Sequence, residues 1–330
     1  MRDELRNKSD LFAENYRIIS KKYKWNYSTN NRLGALLYTM EGRTVDTEAI
    51  DRCKRMIKRN TGLFSQFKDI TFFSTAVILS LREEPEELFQ SAVDIYKCMK
   101  QEGFHSSAYL VLAALTIAMQ SEETDYGRRI ATAKTFYEAI KKEHRLLTGP
   151  SDYGYIALLA LSDQSVSSAI RDMETCYDIL MEDFISRNSV QSLTHILVFE
   201  EQEPVDKCRR VVGLYEALRS RGLKFGTRLE LPVLGVTALL MENPQEAAKD
   251  IEEVNQYLSR KKGFGIWLPK KERLIYGAVL ASGEYASGAL STTRSASLTN
   301  SITGILLAQQ LAVIAASSAA TASAAASSGS

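Results

Sequence analysis

Glu200-Glu-Gln-Glu-Pro204-Val and Met241-Glu-Asn-Pro244-Gln-Glu place two prolines 40 residues apart, each behind an apolar run and ahead of an amphipathic stretch. Proline suits the first position of a helix, because the N–H it lacks would have had no partner there. Each site therefore reads as a helix start. Arg82-Glu-Glu-Pro85-Glu-Glu repeats the pattern 119 residues before Pro204, close to three such spacings. Asp125 and Ser165 stand at the two intervening registers, in the breaker-rich stretches Ser121-Glu-Glu-Thr-Asp and Ser162-Asp-Gln-Ser.

A second anchor follows about 11 residues later, in Tyr96-Lys-Cys-Met99, Tyr137-Glu-Ala-Ile140, Tyr177-Asp-Ile-Leu180 and Tyr215-Glu-Ala-Leu218, spaced by 41, 40 and 38. The next unit has Asn255 where the tyrosine would be and keeps the aliphatic Leu258. A third anchor, Gly103-Phe104, Lys224-Phe225-Gly226 and Gly263-Phe264-Gly265, closes the helix. Glycine there can take the left-handed conformation that ends helices, and the aromatic packs back. Before each proline register lies an apolar run: Phe73–Leu81, Ala108–Ala118, Tyr155–Leu161, Leu193–Phe199 and Val233–Leu240. These runs are too apolar all round for surface helices, and Ala and Leu outnumber β-branched residues in most of them. They read as helices sandwiched between neighbours.

The fold expected is all-α: a right-handed α-solenoid or a closed, curved array of about six helical-hairpin repeats of roughly 40 residues. Each unit pairs a buried helix A with an amphipathic helix B. Asn30–Met40 and Thr47–Asn60 form a degenerate first unit, with Asp46 or Thr47 as cap. Asp10–Tyr23 adds an N-terminal helix, and Trp267–Leu280 a final helix A without a good partner, so that each end is capped. The division expected is 1–61 for the N-terminal helix and first hairpin, 62–283 for five hairpins and the capping helix, and 284–330 for a small-residue tail. In that tail the apolar run 302–316 is short of the roughly 20 residues a spanning helix needs. It suits a helix docked on the last repeats better than a membrane anchor or a mobile segment.

Lys and Arg total 41 and Asp and Glu 40, so no net field draws the protein onto nucleic acid or an anionic membrane, and such binding would need a local patch. The charged start Met1-Arg-Asp-Glu-Leu has no apolar segment behind it, which points to a cytoplasmic protein. The four cysteines form no CxxC pair, and Cys98, Cys176 and Cys208 read as core thiols in amphipathic helices. No paired-histidine metal motif, phosphate loop or nucleophile elbow is present, and no cofactor or metal is expected.

The candidate binding residues are Tyr109, Tyr153, Tyr155 and His195. The tyrosines stand near the starts of A helices beside Ser106, Ser107 and Asp152, where they could form a polar-aromatic lip or simply pack in the core. His195 lies within an apolar run, as a hydrogen-bonded core histidine or, less plainly, a general base. His105 sits in a capping context and His144 at a solvated helix end. Basic clusters at Lys54-Arg55 with Lys58-Arg59, Arg209-Arg210 with Arg219 and Arg221, and Arg260–Lys262 with Lys270-Lys271 lie mostly near helix ends. There they offset helix dipoles. Aligned on one edge, they would form a basic stripe.

The order Thr61-Gly-Leu-Phe-Ser65, then an A helix, Phe89 to Gly103-Phe104, Ala108-Tyr-Leu-Val and an Ala/Ser tail resembles a bacterial family, the domain-of-unknown-function family 4003, over nearly the whole chain. The resemblance implies a bacterial cytosolic protein of similar length and supplies no activity, ligand or catalytic residue. On architecture alone the expected function is a protein- or peptide-binding interaction or regulatory module. The alternative is an enzyme or small-ligand protein with a pocket in the bore of the array. The sequence does not decide whether the protein is an enzyme and leans against it. Nucleic acid and membrane are not expected partners, 302–316 being the one membrane candidate.

Overall fold

The computed structural model describes residues 1–289 except 63–64, 163, 201 and 228–229. The apolar run 302–316, the Ala/Ser stretch behind it and Phe64 lie outside the described residues. Among the described residues the chain is all-helical, with fourteen α-helices and no strand. None of these helices is long and apolar enough to cross a membrane. In chain order they are α1 Asp3–Lys22, α2 Ser28–Met40, α3 Thr47–Asn60, α4 Phe72–Ser80, α5 Pro85–Gln101, α6 Ala108–Gln120 and α7 Tyr126–Glu143. There follow α8 Tyr153–Leu161, α9 Val166–Leu180, α10 Arg187–Leu197, α11 Pro204–Ser220, α12 Leu231–Leu240, α13 Pro244–Ser259 and α14 Lys270–Ala289.

Local chemistry sets these boundaries. Pro85, Pro204 and Pro244 each open a helix, as their missing N–H allows. Asp46 accepts the N–H groups of Glu48 and Ala49 at 2.9 Å each, and Ser107 accepts that of Leu110 at 3.1 Å. These caps satisfy donors that the first turn leaves without partners. Gly103 and Gly263 have φ of +89° and +90°, which lets the chain leave α5 and α13 sharply.

The even-numbered helices form a buried layer. In α4, α6, α8 and α12 nearly every side chain is out of water. Each odd-numbered helix packs on the even-numbered helix that follows it, from α1 on α2 to α13 on α14. Within the buried layer α2 packs on α4, α6 on α8, α8 on α10, α10 on α12, and α12 on α14, while the turn 66–68 ahead of α4 packs on α6. Contacts at matched heights show the buried neighbours running in the same direction. Lys271 at the start of α14 meets Glu230 just ahead of α12 at 2.8 Å, and further along Ser282 donates to Thr237 at 3.1 Å.

The two ends of this succession meet. α1 packs on α13 and α14, and α14 packs on α2. Arg2 pairs with Asp250 at 2.8 Å, Lys261 with Asp10 at 2.6 Å, and Arg32 donates twice to the Gly263 carbonyl at 3.2 and 2.9 Å. α14 is thus not a partnerless cap, and it begins at Lys270, directly after Pro269, with Trp267 ahead of it in solvent. α1 begins at Asp3 rather than Asp10, since Leu5 is fully buried.

Aromatic pairs join successive odd helices. Phe67 meets Tyr96 with ring centroids 5.4 Å apart, Phe104 meets Tyr137 at 5.6 Å, and Phe184 meets Tyr215 at 5.0 Å. His144 takes the same part against Tyr177 at 4.5 Å and pairs with Glu174 at 2.9 Å, so it is a half-buried contact rather than a solvated end. Arginines hold carbonyls at the ends of buried helices: Arg43, in the loop ahead of α3, donates to Leu81 at 3.0 Å, Arg129 of α7 to Ala160 at 2.9 Å and Arg210 of α11 to Leu239 at 2.7 Å. A cation there satisfies an orphan carbonyl and meets the negative end of the dipole.

Cys176 and Cys208 are core thiols between α9 and α11, the Cys208 Sγ lying 3.8 Å from the Cys176 carbonyl oxygen. Cys98 is exposed, because Ile95 and Met99 take the buried face of α5.

Candidate functional site

The four expected binding residues divide between two places. Tyr153, fully buried, packs on Phe104 and Tyr137 with centroids 5.0 and 5.5 Å away, and its hydroxyl accepts the His105 backbone N–H at 3.0 Å. His105 itself points into solvent, and Ser107 does the capping. Tyr109 is half-buried against the main core, and that burial pushes its hydroxyl pKa up. Tyr155 and His195 come together, ring centroids 5.7 Å apart, in a small apolar cluster with Leu158 and Ile196.

His195 is fully buried, and neither ring nitrogen has a hydrogen-bond partner. It is therefore not the hydrogen-bonded histidine the sequence suggests. Burial disfavours the imidazolium and pushes the pKa down to about 3, with His144 adding a smaller like-charge effect. A base that weak stays neutral at physiological pH and accepts protons poorly. Asp152, at the start of α8, accepts the Gly149 N–H at 2.8 Å, and burial raises its carboxyl to about 6. Among the described residues no group of three His, Cys, Asp or Glu side chains could hold a metal ion.

A different set of residues converges at the molecular surface. Three loops that lead from an odd helix into a buried one are tied side by side. Residues 221–227 meet the start of α14 through Lys270 to the Gly222 carbonyl at 3.4 Å and Lys271 to Thr227 Oγ1 at 3.1 Å. Residues 260–269 meet α1 and α2 through Lys261, Gly263 and Arg32, as described above. Residues 23–27 meet α3 through the Tyr23 hydroxyl, which donates to Asp51 at 2.9 Å, and through Lys54, 4.5 Å over the Tyr23 ring.

This joined edge carries the two tryptophans of the chain, Trp25 and Trp267, exposed to 100% and 96%. Ile266 and Tyr27 beside them are also exposed. Around them stand Lys21, Lys22, Lys24, Arg219, Arg221, Lys224, Arg260, Lys261, Lys262, Lys270 and Lys271. The carboxylates in the same stretches, Glu230 and Glu272, are already engaged by Lys271 at 2.8 Å and by Arg32 at 3.6 Å. A surface groove of about 870 Å³ runs beside this edge between α1 and residues 261–263, its charged lining being Asp10, Glu14, Arg17, Lys21, Lys261 and Lys262.

The opposite loops, from a buried helix into an odd one, carry Glu41, Asp46, Glu83, Glu84, Glu122, Glu123, Asp125, Glu200, Glu203 and Glu242. These loops are richer in carboxylates than the joined edge, although Arg43 and Arg82 stand among them, and other loops on the side of the joined edge also carry acids, Glu102, Glu182 and Asp183. The basic clusters of the sequence align in part: Lys58-Arg59, Arg219, Arg221, 260–262 and 270–271 fall at helix ends on the basic side. Arg209-Arg210 do not, because they sit in the first half of α11, where Arg209 pairs with Asp206 and Arg210 holds Leu239. Lys21, Lys22, Lys24, Trp25 and Tyr27 escape sequence reading as site residues. Their signal is the paucity of apolar periodicity around two tryptophans, which becomes meaningful only when the chain ends are brought together.

The family model described as "Protein of unknown function (DUF4003)" matches residues 15–311. An "Uncharacterized protein YeaA" of Bacillus subtilis (strain 168) is similar, 26% identical over 218 residues that cover 63% of this chain and 66% of that protein, just under two thirds of its length. No solved structure matches.

Proposed function

This chain belongs to the DUF4003 family of proteins of unknown function, and we propose from its own geometry that it is a non-catalytic docking module. The fourteen helices are best read as a closed ring of seven helix pairs, in which α1 and α14 complete each other. Such a ring is a rigid platform, and its function lies at the basic, aromatic edge rather than in its interior. One observation carries this reading: Trp25 and Trp267 stand wholly in solvent on adjoining loops. Tryptophan is costly to leave in water, and a large exposed aromatic patch rimmed by polar residues marks an interaction surface. The buried layer, by contrast, is mostly Ala, Leu, Ile and Val, with scattered polar side chains such as Thr39, Thr116, Gln191, Thr194 and His195.

A second reading places a small ligand in the interior beside His195. What favours it is the buried imidazole without a partner, next to Tyr155.

The test compares capture by the wild-type chain with capture by a Trp25→Ala/Trp267→Ala variant from a whole-cell lysate with membranes retained. Proteins, lipids and small molecules are all analysed. The docking reading requires a macromolecular or membrane component that the double variant loses. A small molecule held equally by both chains, with nothing larger captured, moves the function to the interior.

A further inference from the structure

Resting on that reading of the edge, we infer that its occupant is the surface of an anionic lipid bilayer, with Trp25, Tyr27, Ile266 and Trp267 entering the headgroup region and the surrounding lysines and arginines facing lipid phosphates.

The chemistry of the patch chooses this occupant. Its exposed apolar members are two tryptophans, a tyrosine and an isoleucine on loops. Trp and Tyr are the side chains that settle at membrane–water boundaries, where an apolar ring meets a polar tip. Between and around them lie cations with no carboxylate partner among the described residues: Lys21, Lys24, Lys224, Arg260 and Lys262. Each cation held near an anionic leaflet raises partitioning roughly fivefold. Aromatic insertion and cationic attraction together make a peripheral attachment that neither supplies alone.

The arrangement of charge agrees. A protein partner would call for hydrogen-bonding groups of both kinds and a shaped depression at the aromatic residues. This edge offers cations and aromatic tips over three adjoining loops. The groove beside it is also basic: Arg17 faces Glu14 at 2.6 Å and Lys261 faces Asp10, while Lys21 and Lys262 have no partner among the described residues. These two are the groove's cations left to meet a headgroup phosphate. Seating the basic edge on the bilayer turns the loops that bear Glu41, Glu83, Glu122 and Glu242 away from it, and Glu102, Glu182 and Asp183 lie on the same side but outside the joined edge.

The experiment is co-sedimentation of the full chain with vesicles of equimolar phosphatidylglycerol and phosphatidylcholine, and with vesicles of phosphatidylcholine alone. Intrinsic fluorescence is recorded on the same samples. Because both tryptophans lie in this patch, emission reports directly on their surroundings. Binding to the anionic vesicles with a blue-shifted emission is expected, weakened at least ~tenfold in phosphatidylcholine or at high salt. Lys24→Glu/Lys262→Glu and Trp25→Ala/Trp267→Ala should each reduce binding by ~tenfold or more without lowering thermal stability, since these side chains are exposed.

No binding to anionic vesicles, or binding without a blue shift, overturns the inference. So does binding that both double variants retain. If the vesicles fail while a protein or nucleic acid is captured in a Trp-dependent way, the docking edge stands and the bilayer is the wrong occupant. If no Trp-dependent capture of any kind is seen, the docking reading itself falls.

Discussion

Phe264 packs against Tyr16 with ring centroids 5.0 Å apart and planes at 65°, although 248 residues separate them in sequence. Phe104 with Tyr137 and Phe184 with Tyr215 make the same kind of contact between helices that follow one another closely. The junction between the chain's two ends thus uses the device that joins its successive helices. Gly263, beside Phe264, has φ +90°, and a Cβ there would lie 2.0 Å from the Tyr16 ring. Gly263→Ala should therefore cost about 2–4 kcal/mol by combining clash and backbone strain. Adding Tyr16→Ala removes the clash, so the double variant should lose less than the sum of the two single losses in denaturant titrations. Additive losses would mean that the two residues do not touch.

Leu159 is fully buried in α8, a helix apolar on every face. Leu159→Asp places an unpaired carboxylate in that layer and should abolish cooperative folding, whereas Leu159→Ala should cost about 2–5 kcal/mol. Calorimetry distinguishes the two, and a wild-type melting curve for the Asp variant would show that α8 is not internal.

His195 gives stability a definite pH dependence. Burial holds its folded-state pKa at about 3, below the ordinary 6.5, so the unfolded chain binds the extra proton. Stability from this group is complete above pH 6.5 and is lost on acidification toward pH 3, with a slope of up to about 1.4 kcal/mol per pH unit. His195→Leu should flatten that limb in urea titrations at pH 7, 6 and 5. It should also stabilise the protein by about 1 kcal/mol at neutral pH, because two unpartnered nitrogens leave the core. A variant as acid-sensitive as wild type would assign the limb to other groups.

Asp152 acts in the other direction. Its folded pKa is raised by burial from 3.8 to about 6, so the folded chain holds the proton longer than the unfolded one. Its ionisation weakens the fold as pH rises from about 4 to 6, and the penalty is complete above that window. Asp152→Asn, which can still accept from Gly149, should raise stability at pH 7 by about 1–3 kcal/mol and have no effect below pH 4. A destabilised variant at pH 7 would show that the ionised carboxylate is better solvated than its burial implies.

Local signals make most helices legible: Pro85, Pro204 and Pro244 at helix starts, Ser165 at a helix-start register, Asp46 as a cap, and the apolar runs that fall within α4, α6, α8, α10 and α12. Tyr137 and Tyr215 were recognisable as packing positions because their spacing repeats. Tyr16 was not, because its partner lies at the far end of the chain and periodicity carries no information about closure. The same distance hid the edge. Trp25 and Trp267 each look like isolated exposed residues until α1 meets α13, and the basic run Lys21-Lys22-Tyr23-Lys24 stands far in sequence from 260–262. His195 was singled out by its apolar neighbours, yet only the geometry shows both nitrogens without partners.

The contact of α1 with α13 and α14 bears on how the protein comes apart. Helical stacks ordinarily fray from their first and last members, which lack a neighbour on one side. Here Phe12 is covered by Phe264 and Tyr276, so the first and last of the described helices shelter one another. Heat finds no loose thread to pull: α1 should exchange its amide hydrogens as slowly as the middle helices, and clipping it off would open the whole molecule rather than shorten it by one turn of the stack.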